Sequence, residues 1–233
     1  MTFSIAGVCS RTGEIGMALT TSSMAAGARA MRLAPGYGAV FAQARSDPRL
    51  SALGVGLLEA GQSARATLDA MVASTSEAEW RQLGVIDAAG RTAHMTGERC
   101  VAPRGGAEAP GALALGNGLG NEAVVPAILQ GFLKRPGDGL AERLLTALDH
   151  GLAAGGEPYP LRSAALLISR PGVPFPVMDL RVDLHDTPLA ALRFQWEQYA
   201  PLLEGYLARA IDPAHAPLAA SFEGHLRHPM KGF

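Results

Sequence analysis

The hydrophobic period along this chain switches repeatedly between two and 3.6 residues, and the order of those switches admits few folds. Residues 3–9 and 15–22 are apolar, β-compatible runs on either side of Ser10-Arg11-Thr12-Gly13-Glu14, which predicts an opening hairpin whose first strand starts at about residue 2. A third strand is expected over 37–44, entered from Ala34-Pro35-Gly36. Leu50, Leu53, Leu57 and Leu58 then recur at helical spacing within 48–60, and Ser63 caps a second helix carrying Leu68, Met71 and Val72. Residues 82–87 and 92–95 flank Ala88-Ala89-Gly90-Arg91 as a second hairpin. Glycine and proline density over 101–120 predicts loops around a short strand at 112–115. Helices are expected over 121–132, capped by Asn121, and over 140–154, followed by strands at 163–169 and 177–183. Thr187-Pro188 opens a last helix reaching about residue 208.

A repeating βαβ pattern would place a helix between nearly every pair of strands, whereas here paired helices alternate with groups of strands. The expected fold class is therefore α+β: a four-layer α-β-β-α sandwich of antiparallel sheets. One domain is expected over residues 1–211, with an irregular tail over 212–233.

Twenty basic and 21 acidic side chains give a net charge of −1, which lacks the basic surplus of a nucleic-acid or anionic-membrane binder. No segment offers the roughly 18 uninterrupted apolar residues of a membrane span, and the amino terminus lacks the basic-then-apolar pattern of an export signal. The two cysteines, Cys9 and Cys100, are far apart and outside any CxxC spacing, so neither a disulfide framework nor a cysteine-rich zinc site is expected. A cytoplasmic location fits. The glycines of 116–120 are followed by no GK[ST], and Glu122 would oppose a phosphate, so no nucleotide or other cofactor is expected. The paired helices leave apolar surface for a homodimer or larger assembly.

Thr2 is the candidate nucleophile. Its small side chain permits removal of the initiator methionine, which leaves a hydroxyl beside an α-amine titrating at about 7.7–8.0, a base at neutral pH. Lysine occurs only at 134 and 231, so the opening hairpin supplies no ammonium to tune that hydroxyl. If residues 179–185 stay extended, Asp179, Arg181, Asp183 and His185 share one side of a strand. That row reads as a metal site of Asp183, His185 and Asp186, as a general base His185 oriented by Asp183, or as an ion-pair ladder or subunit contact. Its alternating signs favour the ladder. Ser22, Ser23 and Ser163 sit at strand ends where hydroxyls line pockets, and Asn117 can orient a substrate carbonyl from its glycine-rich turn. Cys100 lies outside any nucleophile motif and reads as a buried, inert thiol.

Several phrases in series carry a family resemblance. Thr2-Phe3-Ser4-Ile5-Ala6, Gly13-Glu14-Ile15-Gly16, Gly36-Tyr37-Gly38-Ala39-Val40 with Gln43, Gly84-Val85-Ile86-Asp87 with Gly90-Arg91, Thr96-Gly97 with Cys100, Gly116-Asn117, Ser163-Ala164-Ala165-Leu166 and Asp179-Leu180-Arg181-Val182-Asp183 with His185 occur in this order. Together, over residues 2 to about 205, they resemble the uncharacterised bacterial and archaeal family called domain of unknown function 1028. The resemblance implies a fold of the N-terminal nucleophile hydrolase kind with no established activity, and Thr2 as the residue at the nucleophile position. The candidate substrate-binding residues are Ser23, Gln43, Asn117, Ser163, Asp179, Arg181, Asp183 and His185, around a small-molecule ligand. This chain departs from the family pattern at Arg162 and Leu115, where glutamines are usual, and at Leu184, where an acid is usual. The expected activity is hydrolysis of a small C–N bond with Thr2 as nucleophile, Asn117 or backbone N–H groups of 36–38 serving as oxyanion donors. The alternative is a metabolite-binding or assembly protein that keeps the fold without the chemistry.

Overall fold

All strand pairings in the computed structural model, which describes residues 1–224, are antiparallel. The chain divides into two compact units, residues 1–192 and 193–233. In the first, β1 (Thr2–Val8), β2 (Ile15–Thr21), β3 (Met31–Ala34) and β4 (Gly38–Ala44) precede α2 (Pro48–Glu59) and α3 (Ala64–Ala73), with the single turn α1 (Gly27–Ala30) between β2 and β3. The hairpin β5 (Arg81–Asp87) and β6 (Thr92–Thr96) leads to a second hairpin, β7 (Arg104–Ala109) and β8 (Ala112–Asn117). Then come α4 (Val124–Leu133), α5 (Leu140–Ala153), β9 (Ser163–Ser169), β10 (Met178–Val182) and the start of α6 (Pro188–Tyr199). The strands form a six-stranded sheet in the order β10-β9-β2-β1-β8-β7 and a four-stranded sheet in the order β3-β4-β5-β6.

Alternation along the strands decides what each sheet face meets. On one face of the larger sheet Phe3, Gly7 and Gly16 lie under α4 and α5, and the contact is close. A Cβ on Gly7 would stand 2.2 Å from Cζ of Phe132, and one on Gly16 2.7 Å from Cδ1 of Leu144. The opposite face carries Ala6, Met17, Leu19, Leu113, Leu115, Ala165 and Leu167, which pack with Met31, Phe41 and Ile86 of the smaller sheet. There Gly84 admits Leu115, whose Cδ1 would lie 2.5 Å from a Cβ at that position. The outward residues of the smaller sheet, Val40, Leu83 and Val85, pack against Leu50, Leu58, Leu68 and Met71 of α2 and α3.

Asp47 shows how one side chain fixes a helix start. It caps α2 by accepting from the Arg49 amide, and its carboxylate also takes Nε and Nη2 of Arg49 at 3.0 and 2.8 Å. Those bonds and the nearby Arg81 outweigh the cost of burial and hold its carboxyl at about 2. A depressed carboxylate contributes stability that is present above its unfolded value near 4 and lost as pH falls through about 2. Asp47→Ala is expected to cost about 1 kcal/mol at pH 7 and to flatten the stability profile between about pH 4 and 2, as urea titrations at several pH values would show.

The second unit, described to residue 224, contains the rest of α6, a 3₁₀ turn at Ala200–Leu202, α7 (Leu203–Ile211) and α8 (Ala219–Phe222). Tyr199 stacks on Tyr206 at 5.6 Å between ring centroids, and Phe222 meets Tyr206 edge-on at 5.3 Å. Residues 225–233 of the tail expected over 212–233 lie outside the described residues.

Several elements differ from the sequence expectations. The long final helix is interrupted at Pro201, whose ring and missing N–H oppose continuation. Asn121 does not cap α4; its Oδ1 accepts from the Ala123 amide and forms a turn ahead of the helix. Residues expected as loops contain β7, whose sequence RGGAEA has no apolar period to betray an edge strand. The four-residue elements α1 and β3 are too short to express a period.

Candidate active site

The apolar layer between the sheets gives way to a polar layer at the Thr2 end of β1. Register puts the residues there: Thr2 lies opposite Asn117, Phe3 opposite Thr20, and Thr21 opposite Ser163. Residues directly across an antiparallel ladder point to the same face. Thr2, Thr21, Ser163 and Asn117 therefore form a row facing the smaller sheet, where Gln43, Gln82 and Thr96 are likewise in register.

Gln82 ties the two rows together. Its Oε1 accepts from Nε2 of Gln43 and from Nδ2 of Asn117, both at 3.0 Å. Its Nε2 donates to Oγ1 of Thr96 at 2.9 Å and reaches the carbonyls of Gly105 and Gly116 at 3.0 and 2.8 Å. Gln43, Gln82, Thr21 and Asn117 are all buried. Oγ of Ser4, one layer deeper than Thr2, and Oε1 of Gln43 have no hydrogen-bond partner among the described residues.

Thr2 is 5 % exposed, and its hydroxyl donates to the Met1 carbonyl in a very short contact. The Thr21 hydroxyl donates to the same carbonyl at 2.8 Å. Met1 lies against Gly118, a glycine at φ +62° where a Cβ would stand 2.0 Å from Cγ of Met1. Beside the amino terminus sits Glu157, a buried carboxylate that sequence reasoning missed. Its Oε2 accepts from the Ser22 amide at 3.0 Å, and Oε1 has no hydrogen-bond partner among the described residues. Burial pushes its carboxyl up from the ordinary value, opposed by the Ser22 bonds and the charge of the terminal amine. The chain reaches this position through Gly155 and Gly156, both at positive φ, and the Gly156 carbonyl accepts from Gly120 N at 2.8 Å.

The other sequence-derived residues divide by position. Ser163 Oγ donates to the Ser23 carbonyl at 2.7 Å and accepts from Ala26 N at 3.3 Å, so it pins the turn after β2, while Ser23 itself is exposed. The row Asp179-Arg181-Asp183-His185 does not continue as one face, because β10 ends at Val182. Asp179 and Arg181 form a two-pronged pair at 2.6 and 2.8 Å on the edge strand, three strands from β1 and so about 14 Å from it. The Asp183 carbonyl accepts from Ala25 N, and Nδ1 of His185 accepts from Thr187 N at 2.9 Å at the start of α6. Among the described residues no three His, Cys, Asp or Glu gather as metal ligands.

The backbone of 36–38 is displaced from Thr2. Gly38 pairs with Asp87 and Gln43 with Gln82, so that turn lies five residues along β4 from the polar layer, about 17 Å away. It therefore supplies no oxyanion donor to Thr2, which corrects the expectation. The three departures from the family pattern also have separate fates. Leu115 is buried in the core between the sheets, Arg162 pairs with Asp186, and Leu184 is exposed. Cys100 donates to the Arg81 carbonyl, and burial pushes its thiol up, which keeps it protonated.

Comparison with known proteins defines the class. The model of a family of unknown function, DUF1028, matches residues 2–192, and the chain belongs to that family. The crystal structure of a protein of the same family from Silicibacter pomeroyi is 29 % identical, with a TM-score of 0.78 over 85 % of this chain and 89 % of that one. Two Anbu structures are much more distant. The one from Hyphomicrobium sp. strain MC1 is 14 % identical, with a TM-score of 0.41 over 85 % of this chain and 94 % of that one. The one from Yersinia bercovieri, described as an ancestral beta-subunit, is 13 % identical, with a TM-score of 0.37 over 93 % and 99 %. Likenesses that weak carry no argument about this chain. No curated protein matches. Among the described residues no helix is long and apolar enough to cross a membrane.

Proposed function

We propose that the two sheets and their helices form the four-layer sandwich of an N-terminal nucleophile hydrolase, and that the polar layer hydrolyses a small amide with Thr2 as nucleophile. The observation that carries this reading is the placement of Thr2 at the start of β1, in register with Asn117 and beside the buried Glu157. Removal of Met1 frees the Thr2 amine, vacates the space against Gly118 and releases the hydroxyls of Thr2 and Thr21 from the Met1 carbonyl. Oγ1 then attacks the substrate carbonyl carbon while its proton passes to the α-amine. The amine hands that proton to the leaving nitrogen as the C–N bond breaks, giving an ester on Thr2. The product amine departs at that step; water then attacks the ester, and the acid leaves with the Thr2 hydroxyl restored.

Glu157 holds the α-amine in place by accepting from it, a positioning role distinct from that of an ammonium. Glu157→Gln keeps the size and the Ser22 contact but removes the charge. It is expected to lower kcat about a hundredfold and to shift the acidic limb of the pH–rate profile, where the α-amine loses its proton and becomes the base. A carboxyl raised by burial costs stability as pH rises past its unfolded value, so the same variant is expected to match or exceed the parent in Tm at pH 8. A full rate with an unchanged profile would remove Glu157 from the mechanism. The reaction itself is tested by screening methionine-free protein against a library of small amides.

A second reading rests on Met1. It fills the space against Gly118 and occupies both threonine hydroxyls, so a chain that keeps its methionine holds the site shut and serves as a binding or assembly protein. Absence of turnover across the amide library, with Met1 retained in the cell, would favour that reading.

A further inference from the structure

The end of the sheets remote from Thr2 carries a second set of polar groups. Here the β1–β2, β5–β6 and β7–β8 turns meet, with Val8 N donating to the Gly111 carbonyl at 2.9 Å and Gly111 N to the Gly90 carbonyl at 3.2 Å. Val8 is six residues along β1 from Thr2, about 20 Å. The turns border a cleft of about 500 Å³ whose lining includes Cys9, Arg11, Gly90, Pro136 and Arg143, and no carboxylate.

Arg143 projects from α5 and is only 8 % exposed. Its Nε donates to the Phe132 carbonyl at 3.2 Å, and its guanidinium lies 4.0 Å from the centroid of the Phe132 ring. Neither contact neutralises it, and no carboxylate pairs with it among the described residues. The acidic groups whose charge it feels are Cys9, a thiol lining the same cleft, and then Asp138, which is paired with Arg135 at 3.9 Å. Burial pushes the guanidinium down from its ordinary value, and the nearby Arg11 adds to that. Arg11 is exposed and donates to the Gly137 carbonyl at 3.4 Å, again with no carboxylate partner.

A buried cation without a counter-ion is costly to fold around. Two arginines lining a cleft without a carboxylate offer forked donors of a kind that suits an oxyanion. We propose that this cleft binds the phosphate-type oxyanion of a small metabolite between Arg143 and Arg11, as a site separate from the polar layer around Thr2. Bound anion would supply the missing counter-charge.

The test is calorimetric titration of the full chain with inorganic phosphate, chloride being exchanged to keep ionic strength constant. Saturable 1:1 binding is expected. Arg11→Ala, at an exposed position, is expected to weaken it about tenfold, the loss of one charge-assisted contact. Arg143→Lys keeps the charge but not the fork and is expected to weaken it at least as much. No saturable heat, or an affinity unchanged in Arg11→Ala, would overturn the proposal and leave Arg143 as a stacking partner of Phe132. Arg11→Ala carries the test alone if Arg143→Lys does not fold.

Discussion

Gln82→Leu is expected to destabilise the protein by about 3–5 kcal/mol, a large share of the roughly 5–15 kcal/mol that holds a domain folded. The side chain is fully buried and serves both sheets at once. Its loss leaves Nε2 of Gln43, Nδ2 of Asn117 and the Gly105 and Gly116 carbonyls without the partner they have now. Each buried group left unpaired costs about 1–3 kcal/mol, and local rearrangement recovers part of the sum. The leucine's own transfer gain is about 2 kcal/mol at most, because the position is walled by polar atoms. Urea unfolding monitored by circular dichroism measures the difference. A loss below about 1 kcal/mol would mean that the amide cluster re-pairs freely and does not set the geometry of the Thr2 site.

Thr2→Ala is expected to abolish amide hydrolysis, lowering kcat by at least a thousandfold, the scale on which removal of a nucleophile acts. Its effect on stability runs the other way in size. Among the described residues the Thr2 hydroxyl bonds only to the Met1 carbonyl, a partner gone once Met1 is removed, so the variant should stay within about 1 kcal/mol of the parent. Thr2→Ser retains an oxygen at the same position and should retain measurable turnover. Comparable kcat for Thr2→Ala and the parent would move the chemistry elsewhere. The contrast with Gln82→Leu, large in stability, separates a residue that reacts from one that builds the site.

How much of this was legible in the sequence varies with the element. The opening hairpin, the paired helices and β9 declare themselves through long apolar runs or full helical periods, in which many residues agree on one face. β7 does not, because two glycines and alternating small residues leave an edge strand nothing to bury. Within the site, Gln43 and Asn117 each interrupt an inward-facing apolar column, after Phe41 and Leu115, and Thr2 ends the β1 column in which polar Ser4 already follows Ala6. Gln82 continues the same logic through Gly84 and Ile86. That phase was readable, but the glycine between them hides it. Glu157 follows two glycines in a loop, and its burial depends on packing that no local pattern encodes. The row at 179–185 reads as one face only while the chain stays extended, and the bend after Val182 breaks it.

The most direct test of the central claim is the intact mass of the purified chain before and after exposure to an acylating β-lactone. The account predicts a species lighter by one methionine that gains a single adduct, located on Thr2 by fragmentation and absent from Thr2→Ala. A full-length mass that gains no adduct would contradict it.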